Sequence, residues 1–309
     1  MEILSNHLIH LIEYAQCKQI KTQQIERPKE NSYIKMSDYF AYYRQLFLAS
    51  SDPYFGLHFG SFLNLRVLDS VYEVSLAAIN IDQVIHFWKD YAKNNFPSLL
   101  FTTSKTEDGY VLEFDLKTEY KEIKDQVLDT FFTFTVRELK LMIDIEQVDI
   151  ALPYHQPDEF AQWYNRPILK KSKHSFIFKN KFQDIEINTN RKTEIEIVLP
   201  KFLRMLSNGK TEYQPFALSV RNMVLNMCNP EIPNLHRVAS QFLMTERTLQ
   251  RRLKNEGKTF RDITNEIKRE LYFYLKKGKK IKMKDISYLL GYTDTSSLLH
   301  AVQKWKSIH

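Results

Sequence analysis

Apolar positions recur at helical spacing through residues 3–19, with Ile3, Leu4, Leu8, Leu11, Ile12 and Ala15 on the repeat. The same period predicts helices over 37–49, 82–95, 122–144 and 214–228, and a helix start at Asp52-Pro53 ahead of Phe55, Leu57, Phe59 and Phe62. Asp82 or Asn80 is placed to cap the 82–95 helix, whose apolar side carries Val84, Ile85, Phe87, Trp88 and Tyr91. Elsewhere the period shortens. Leu99–Ser104 and Tyr110–Lys117 read as strands around the turn signal Glu107-Asp108-Gly109, and Val148–Leu152 and Ser175–Phe178 read as two more. Pro157–Tyr164 reads as a short helix and 182–193 as loop. Asn229-Pro230-Glu231-Ile232-Pro233 then predicts a break, because two prolines stop the preceding helix and stiffen the junction. Two domains are expected: a mixed α+β domain over 1–228 and an all-α domain over 229–309.

Beyond the break the pattern twice takes the form of two helices joined by a tight turn. In the first, Val238 and Ala239 lie inward and Thr245 caps a helix over 246–254. Leu249 and Leu253 face the core, which leaves Arg247, Gln250, Arg251 and Lys254 together on the opposite face. Arg offers forked donors to guanine and Gln a paired amide to adenine, so this face suits a DNA major groove. In the second, Ile286, Leu289 and Leu290 pack inward, Gly291 suits a left-handed closing position and Asp294 caps a helix over 295–305. Leu298, Ala301, Val302 and Trp305 are core candidates there, while Thr295, Ser296, Leu299 and His300 project outward. Hydroxyls and an imidazole make weaker base contacts than Arg, so this half is expected mainly to position the protein on phosphates. A helix with Ile263, Ile267 and Leu271 on one side joins the two over Phe260–Leu275. It leads into Lys276-Lys277-Gly278-Lys279-Lys280-Ile281-Lys282-Met283-Lys284, where Lys279, Lys280 and Lys282 are expected to grip backbone phosphate with Lys254.

Charge supports that division. From Glu231 onward there are 17 Lys/Arg against 8 Asp/Glu, out of 44 against 37 in the whole chain, so residues 1–230 hold 27 against 29. A basic module on a near-neutral body fits a polyanion reader attached to something that is not one. Length, 43% apolar content and only 7 Gly argue for ordered globular structure. No stretch approaches the roughly 20 apolar residues of a membrane span. The start Met1-Glu2-Ile3-Leu4-Ser5-Asn6-His7 lacks the basic-then-apolar form of a signal peptide, and the two cysteines, Cys17 and Cys228, are far apart. A cytoplasmic protein is expected.

These residues resemble the AraC/XylS family of bacterial transcription regulators. Its DNA-binding pattern is met by Val238-Ala239, Thr245, Arg247-Thr248-Leu249-Gln250-Arg251-Arg252-Leu253, Glu256-Gly257-Lys258-Thr259-Phe260, Ile286, Leu290-Gly291-Tyr292, Ser297, Ala301 and Trp305. The resemblance implies a seven-helix domain with two helix-turn-helix units on one connecting helix, placed in successive major grooves. Departures are Leu243 for the usual turn Gly, Tyr272 for the usual Ala on the connecting helix, and Leu298 and His300-Ala301-Val302 for the usual Phe and Arg-Ala-Phe. The usual Gly-x-Ser-Pro tail is not met. The N-terminal part resembles the arabinose-binding type of effector domain of the ornithine-responsive regulators. The matching segments are Asp52-Pro53-Tyr54-Phe55-Gly56-Leu57-His58-Phe59-Gly60, Leu152-Pro153-Tyr154-His155-Gln156-Pro157 and Trp163-Tyr164-Asn165-Arg166-Pro167. This resemblance implies a mixed α+β effector or dimerisation domain and does not by itself license a sugar ligand.

Little else in the N-terminal body points to chemistry. His58, His86, His155 and His174 have no metal-ligand spacing, and neither a Gly-x-Ser-x-Gly nor a phosphate-cradling glycine loop occurs. Tyr42, Tyr43, Phe47, Tyr54, Phe55, Phe59 and Phe62 read as an aromatic core or a pocket lining, and Arg66 and Arg137 as candidate partners of an acidic ligand. No cofactor, no metal and no enzymatic activity are expected. The partners expected are double-stranded DNA, a second copy of the chain, a small-molecule effector and RNA polymerase, with no membrane. Two alternatives stand beside this: an effector-independent or partly degenerate paralogue that binds mainly through the first unit, and, more remotely, a DNA-linked enzyme.

Overall fold

A computed structural model of the chain describes residues 1–21, 25–63, 78–153, 157–188, 215–228, 231–278 and 282–306. Its contacts divide it into two units, Met1–Thr189 and Asn190–His309. No helix among the described residues is long and apolar enough to cross a membrane.

The first unit is mixed α and β. It opens with β1 (Glu2–Leu4), α1 (Asn6–Lys18), β2 (Tyr33–Lys35), α2 (Met36–Ser50), α3 (Phe55–Phe62) and α4 (Ile81–Asn95). Then come β3 (Leu99–Thr106), β4 (Gly109–Leu116), α5 (Lys124–Met142), β5 (Val148–Leu152), α6 (Pro157–Tyr164), β6 (Ile168–Lys170) and β7 (Ser175–Phe178). β1 and β2 form an antiparallel pair, and the other strands form one sheet in the order β3-β4-β7-β5-β6, antiparallel except for the β5–β6 edge. Alternation along β4 sends Leu112, Phe114 and Leu116 to one face and Val111 to the other, where it joins Ala151 and Ile177. α5 lies on the Phe114 face: Phe132 stacks on Phe176 at 4.3 Å between ring centres and meets Phe114 edge-on at 5.3 Å.

α3 packs on α5 backbone to backbone. A Cβ at Gly56 would sit 2.0 Å from the Gln126 carbonyl oxygen, and one at Gly60 would sit 2.4 Å from that of Thr130, so neither position admits a side chain. Asp52 anchors the start of this helix. Its carboxylate accepts from the Tyr54 N–H at 3.0 Å, Lys18 Nζ at 2.8 Å and His58 Nδ1 at 2.7 Å, all inside the unit. Burial pushes the Asp52 carboxyl up, but the hydrogen bonds and charges of His58 and Lys18 outweigh it and hold the group down at about 2. A second buried pair joins His174 Nε2 to Asp129 Oδ1 at 2.8 Å. His58 and His174 therefore serve as packed partners of carboxylates, whereas His86 is exposed and His155 lies outside the described residues. Tyr43, Phe55, Phe59 and Phe62 are fully buried core. Arg137 donates to the carbonyls of Gly60, Ser61 and Leu63, which closes the end of α3; Arg66 lies outside the described residues.

The second unit is helical, with α7 (Phe216–Met227), α8 (Leu235–Gln241), α9 (Glu246–Asn255), α10 (Phe260–Gly278), α11 (Met283–Leu289) and α12 (Thr295–Lys306) among the described residues. The contact division falls upstream of the limit expected from the prolines. α7 lies before the expected break at 228/229, yet it packs on α8, α9 and α10. The unpaired N–H groups at its first turn are taken by a residue from the far end of α9. The Phe216 and Ala217 N–H groups each donate to one oxygen of Glu256, both at 2.8 Å. Arg221 pairs with Glu270 at 3.0 Å, the Arg252 guanidinium lies 3.8 Å over the Phe216 ring, and that ring meets Phe242 at 5.2 Å. The prolines end a helix; the unit containing that helix begins upstream of it.

Candidate nucleic-acid interface

α8 and α9 are joined by a turn in which Leu243 takes a left-handed conformation at φ +52°. The Met244 N–H closes the turn on the Ala239 carbonyl at 3.0 Å, and Val238 and Ala239 are buried beneath it. Thr245 then caps α9, its side chain accepting from the Thr248 N–H at 3.2 Å. Leu249 and Leu253 are both 0% exposed. Fully burying two leucines contributes on the order of 1.5–3 kcal/mol each and fixes which way the helix faces. Arg247, Arg251 and Lys254 are consequently exposed, and Gln250 is half-buried beside them. Arg252, one position round the helix, is turned away onto Phe216.

The second pair repeats the geometry. Gly291 takes the left-handed position at φ +67°, and the Tyr292 N–H closes on the Ser287 carbonyl at 3.0 Å. Asp294 accepts from the Ser297 N–H at 2.7 Å and from the Ser297 hydroxyl at 2.9 Å. These hydrogen bonds hold its carboxyl below the usual aspartate range. Leu298, Val302 and Trp305 are buried; Ser296, Leu299 and His300 are exposed, and Thr295 is half-buried. Leu298 thus fills the core where the family pattern has Phe. Tyr272 on α10 is buried and packs on Trp305 at 5.9 Å, which gives its extra bulk a partner inside the unit. On the solvent side Lys268 lies 4.4 Å over the Tyr292 ring. Lys282 is exposed just before α11, whereas Lys279 and Lys280 lie outside the described residues.

The outward residues near the helix starts thus divide by chemistry: Arg247 and Arg251 on α9, but Thr295, Ser296 and His300 on α12, whose exposed cation, Lys304, comes a turn later. Leu299 projects outward as its spacing predicts. It is 45% exposed on the same surface as Ser296 and His300. Its signal is a Leu next to a buried Leu in a face of hydroxyls.

The HTH-type transcriptional regulator VqsM of Pseudomonas aeruginosa is 24% identical over 263 residues, which cover 81% of this chain and 80% of that protein. An uncharacterized HTH-type transcriptional regulator of Mycobacterium tuberculosis is 33% identical over 76 residues, 25% of this chain and 22% of that protein. No protein-family profile matches the chain. Among solved structures, that of the transcriptional regulator CdpR from Pseudomonas aeruginosa aligns at a TM-score of 0.46 and 18% identity, covering 98% of this chain and 95% of that one. The chain is similar to transcriptional regulators.

Within the first unit the described residues hold no group of three or more His, Cys, Asp or Glu side chains placed for a metal ion. Cys17 and Cys228 are both buried and unlinked by a disulfide.

Proposed function

We propose that the protein is a sequence-specific DNA-binding transcriptional regulator of the AraC/XylS kind, with two helix-turn-helix units on α10 as connecting helix. α9 enters a major groove and reads bases with Arg247, Gln250 and Arg251, while Lys254 holds phosphate. α12 enters a second groove with Thr295, Ser296 and His300, and Lys279, Lys280 and Lys282 bind further phosphates. The first unit takes the part of the arabinose-binding type of domain: it senses a small molecule and pairs two copies of the chain, which act with RNA polymerase. The observation that carries this reading is the orientation of α9. Its leucines are fully buried and its cations stand in solvent behind a capped tight turn. The similarity to named regulators supports it.

A genome-wide DNA pull-down with intact protein, followed by gel shifts on the recovered sites, tests the proposal. A shared motif bound more tightly than random DNA is expected; recovery of random DNA alone overturns it. Lys279, Lys280 and Lys282 replaced together by Gln should weaken specific and random DNA alike. They should also flatten the log-affinity against log-salt slope by about 0.9 for each phosphate that is no longer neutralised. A second reading, binding mainly through α9, is favoured by the first turns of α12, which present Thr295, Ser296 and His300 where α9 presents Arg247 and Arg251.

A further inference from the structure

α1, α4 and α5 of the first unit surround a cavity at the end of β3. Its walls are apolar except for five groups, His7, Trp88, Tyr91, Thr135 and Glu138, and the Thr135 hydroxyl is already spent on the Phe131 carbonyl at 2.8 Å. His7 and Tyr91 satisfy each other, with His7 Nε2 and the Tyr91 hydroxyl 3.1 Å apart. Burial lowers the His7 ring to about 3, so it is neutral. The other two groups are unspent. Glu138 is 2% exposed and its Oε1 has no hydrogen-bond partner, and Trp88 is 4% exposed with its Nε1–H in the same condition. An unpaired buried polar group costs about 1–3 kcal/mol, and two of them lining one cavity mark a place where something else completes the bonding. Burial also keeps the Glu138 carboxyl raised well above its ordinary range, against the pull of Arg137, so the cavity has no charged group to offer an ion. Space open to the centre of a water-sized sphere totals about 30 Å³. One water needs roughly 10–15 Å³ by that measure, so the site has room for a small group of more than one heavy atom.

We propose that this cavity is the effector site and takes an uncharged group that both donates and accepts hydrogen bonds, a primary amide or an alcohol. The amide or alcohol oxygen accepts from Trp88 Nε1–H, and its own N–H or O–H donates to Glu138 Oε1. The aromatic walls, Phe101, Phe131 and Phe134 among them, enclose the carbon part. The assignment deepens the effector-sensing reading above and names the residues that would perform it.

The test uses intact ¹⁵N-labelled protein, whose 3 Trp give three indole N–H signals; Trp88→Phe assigns one of them to Trp88. Propionamide and 1-propanol are titrated beside propionate and propylammonium, charged molecules of similar size. The Trp88 signal should shift saturably with the uncharged pair and not with the charged pair. Glu138→Leu should weaken that response about tenfold or more, the counterpart of one missing hydrogen bond, while raising the melting temperature by removing an unpaired carboxyl. Glu138→Gln, which keeps an acceptor and a donor, should retain it. An unmoved Trp88 signal with all four compounds overturns the site, and a response to the charged pair overturns its assignment to uncharged groups. DNA affinity is measured on the same samples. A Trp88 response without any change in DNA affinity leaves the binding site standing and removes the effector reading. A change in DNA affinity that persists in Glu138→Leu keeps the effector reading and removes this site.

Discussion

The turn after α8 and the turn after α11 are closed by the same bonds, from Met244 to Ala239 and from Tyr292 to Ser287. Each follows a left-handed residue and each is succeeded by a side-chain cap, yet the residues differ at every step. Leu243 stands where the second turn has Gly291, and Thr245 stands where it has Asp294. The exposed face that follows starts with Arg247 and Arg251 in one and with hydroxyl, alkyl and imidazole groups in the other, where the cation Lys304 stands further along. Backbone geometry in a short helix pair is thus set by a few inward and capping positions, and the outward chemistry varies independently of it. In the proposed function this gives two reading heads of equal shape and unequal reach.

Equal packing is the part of the comparison with the largest energetic consequence. Leu249→Ala and Leu298→Ala each empty a fully buried site and should each cost about 2–5 kcal/mol in urea unfolding of the intact protein. If Leu298→Ala costs under half of Leu249→Ala, the two pairs are not equivalent in packing.

Unequal chemistry should appear next, in binding. Arg251→Ala should cost about 1–3 kcal/mol at a specific site and relax one base position. Alanine at Thr295, Ser296 or His300 should cost less in the same gel-shift series. In the proposed function Leu299 faces the second groove and is placed for a thymine methyl, so replacing thymine by uracil there should weaken binding by the intact protein and leave binding by Leu299→Ala unchanged. An Arg251→Ala protein with unchanged affinity and base preference would erase the distinction between the heads.

Smaller effects belong to the turns. Leu243→Gly should stabilise the protein by about 0.5–1 kcal/mol, because a left-handed conformation is costly for Leu and free for Gly. Gly291→Ala should cost about 1 kcal/mol, and that cost is conformational: a Cβ there meets nothing nearer than Lys268 Nζ at 3.9 Å. Melting curves of the two variants should move in opposite directions.

The caps separate the pairs in acid. The Asp294 carboxyl is held below its ordinary range in the folded protein, so its support of α12 is present above about pH 4 and is lost as pH falls through the lowered value. Thr245 does not titrate. Amide exchange at Ser297 should therefore quicken in acid before exchange at Thr248 does; simultaneous loss would show that the Asp294 cap contributes nothing of its own.

The sequence disclosed these helix pairs well because their determinants are local: a cap, a left-handed turn residue and leucines four apart. Asn80, one of two candidates, caps α4 by accepting from the Gln83 N–H at 3.2 Å, and the hairpin turns at Glu107–Gly109 as its composition suggested. What escaped was long-range. Ile3 and Leu4 continue the apolar period of α1 but belong to β1, which exists because it pairs with Ile34 and Tyr33. β6 is three residues long and shows no alternation of its own. Likewise no local pattern announces that Glu256 reaches the start of α7. Asp52 reads as a helix start, but its partners Lys18 and His58 become visible only once α1 and α3 are assembled. Arg247, Gln250 and Arg251 could be placed on one face from spacing alone, whereas Glu138 and Trp88 could be matched only in three dimensions.

Gly56 and Gly60 are one turn apart on α3, and the carbonyls they press against, Gln126 and Thr130, are one turn apart on α5. The two helices meet like two teeth in two notches. A partial slide drives a side chain into backbone, and a slide of a whole turn seats one glycine while forcing a larger residue into the other notch. The helix that carries Glu138 is therefore indexed to the helix that carries His58, and it can tilt about that crossing but cannot glide along it.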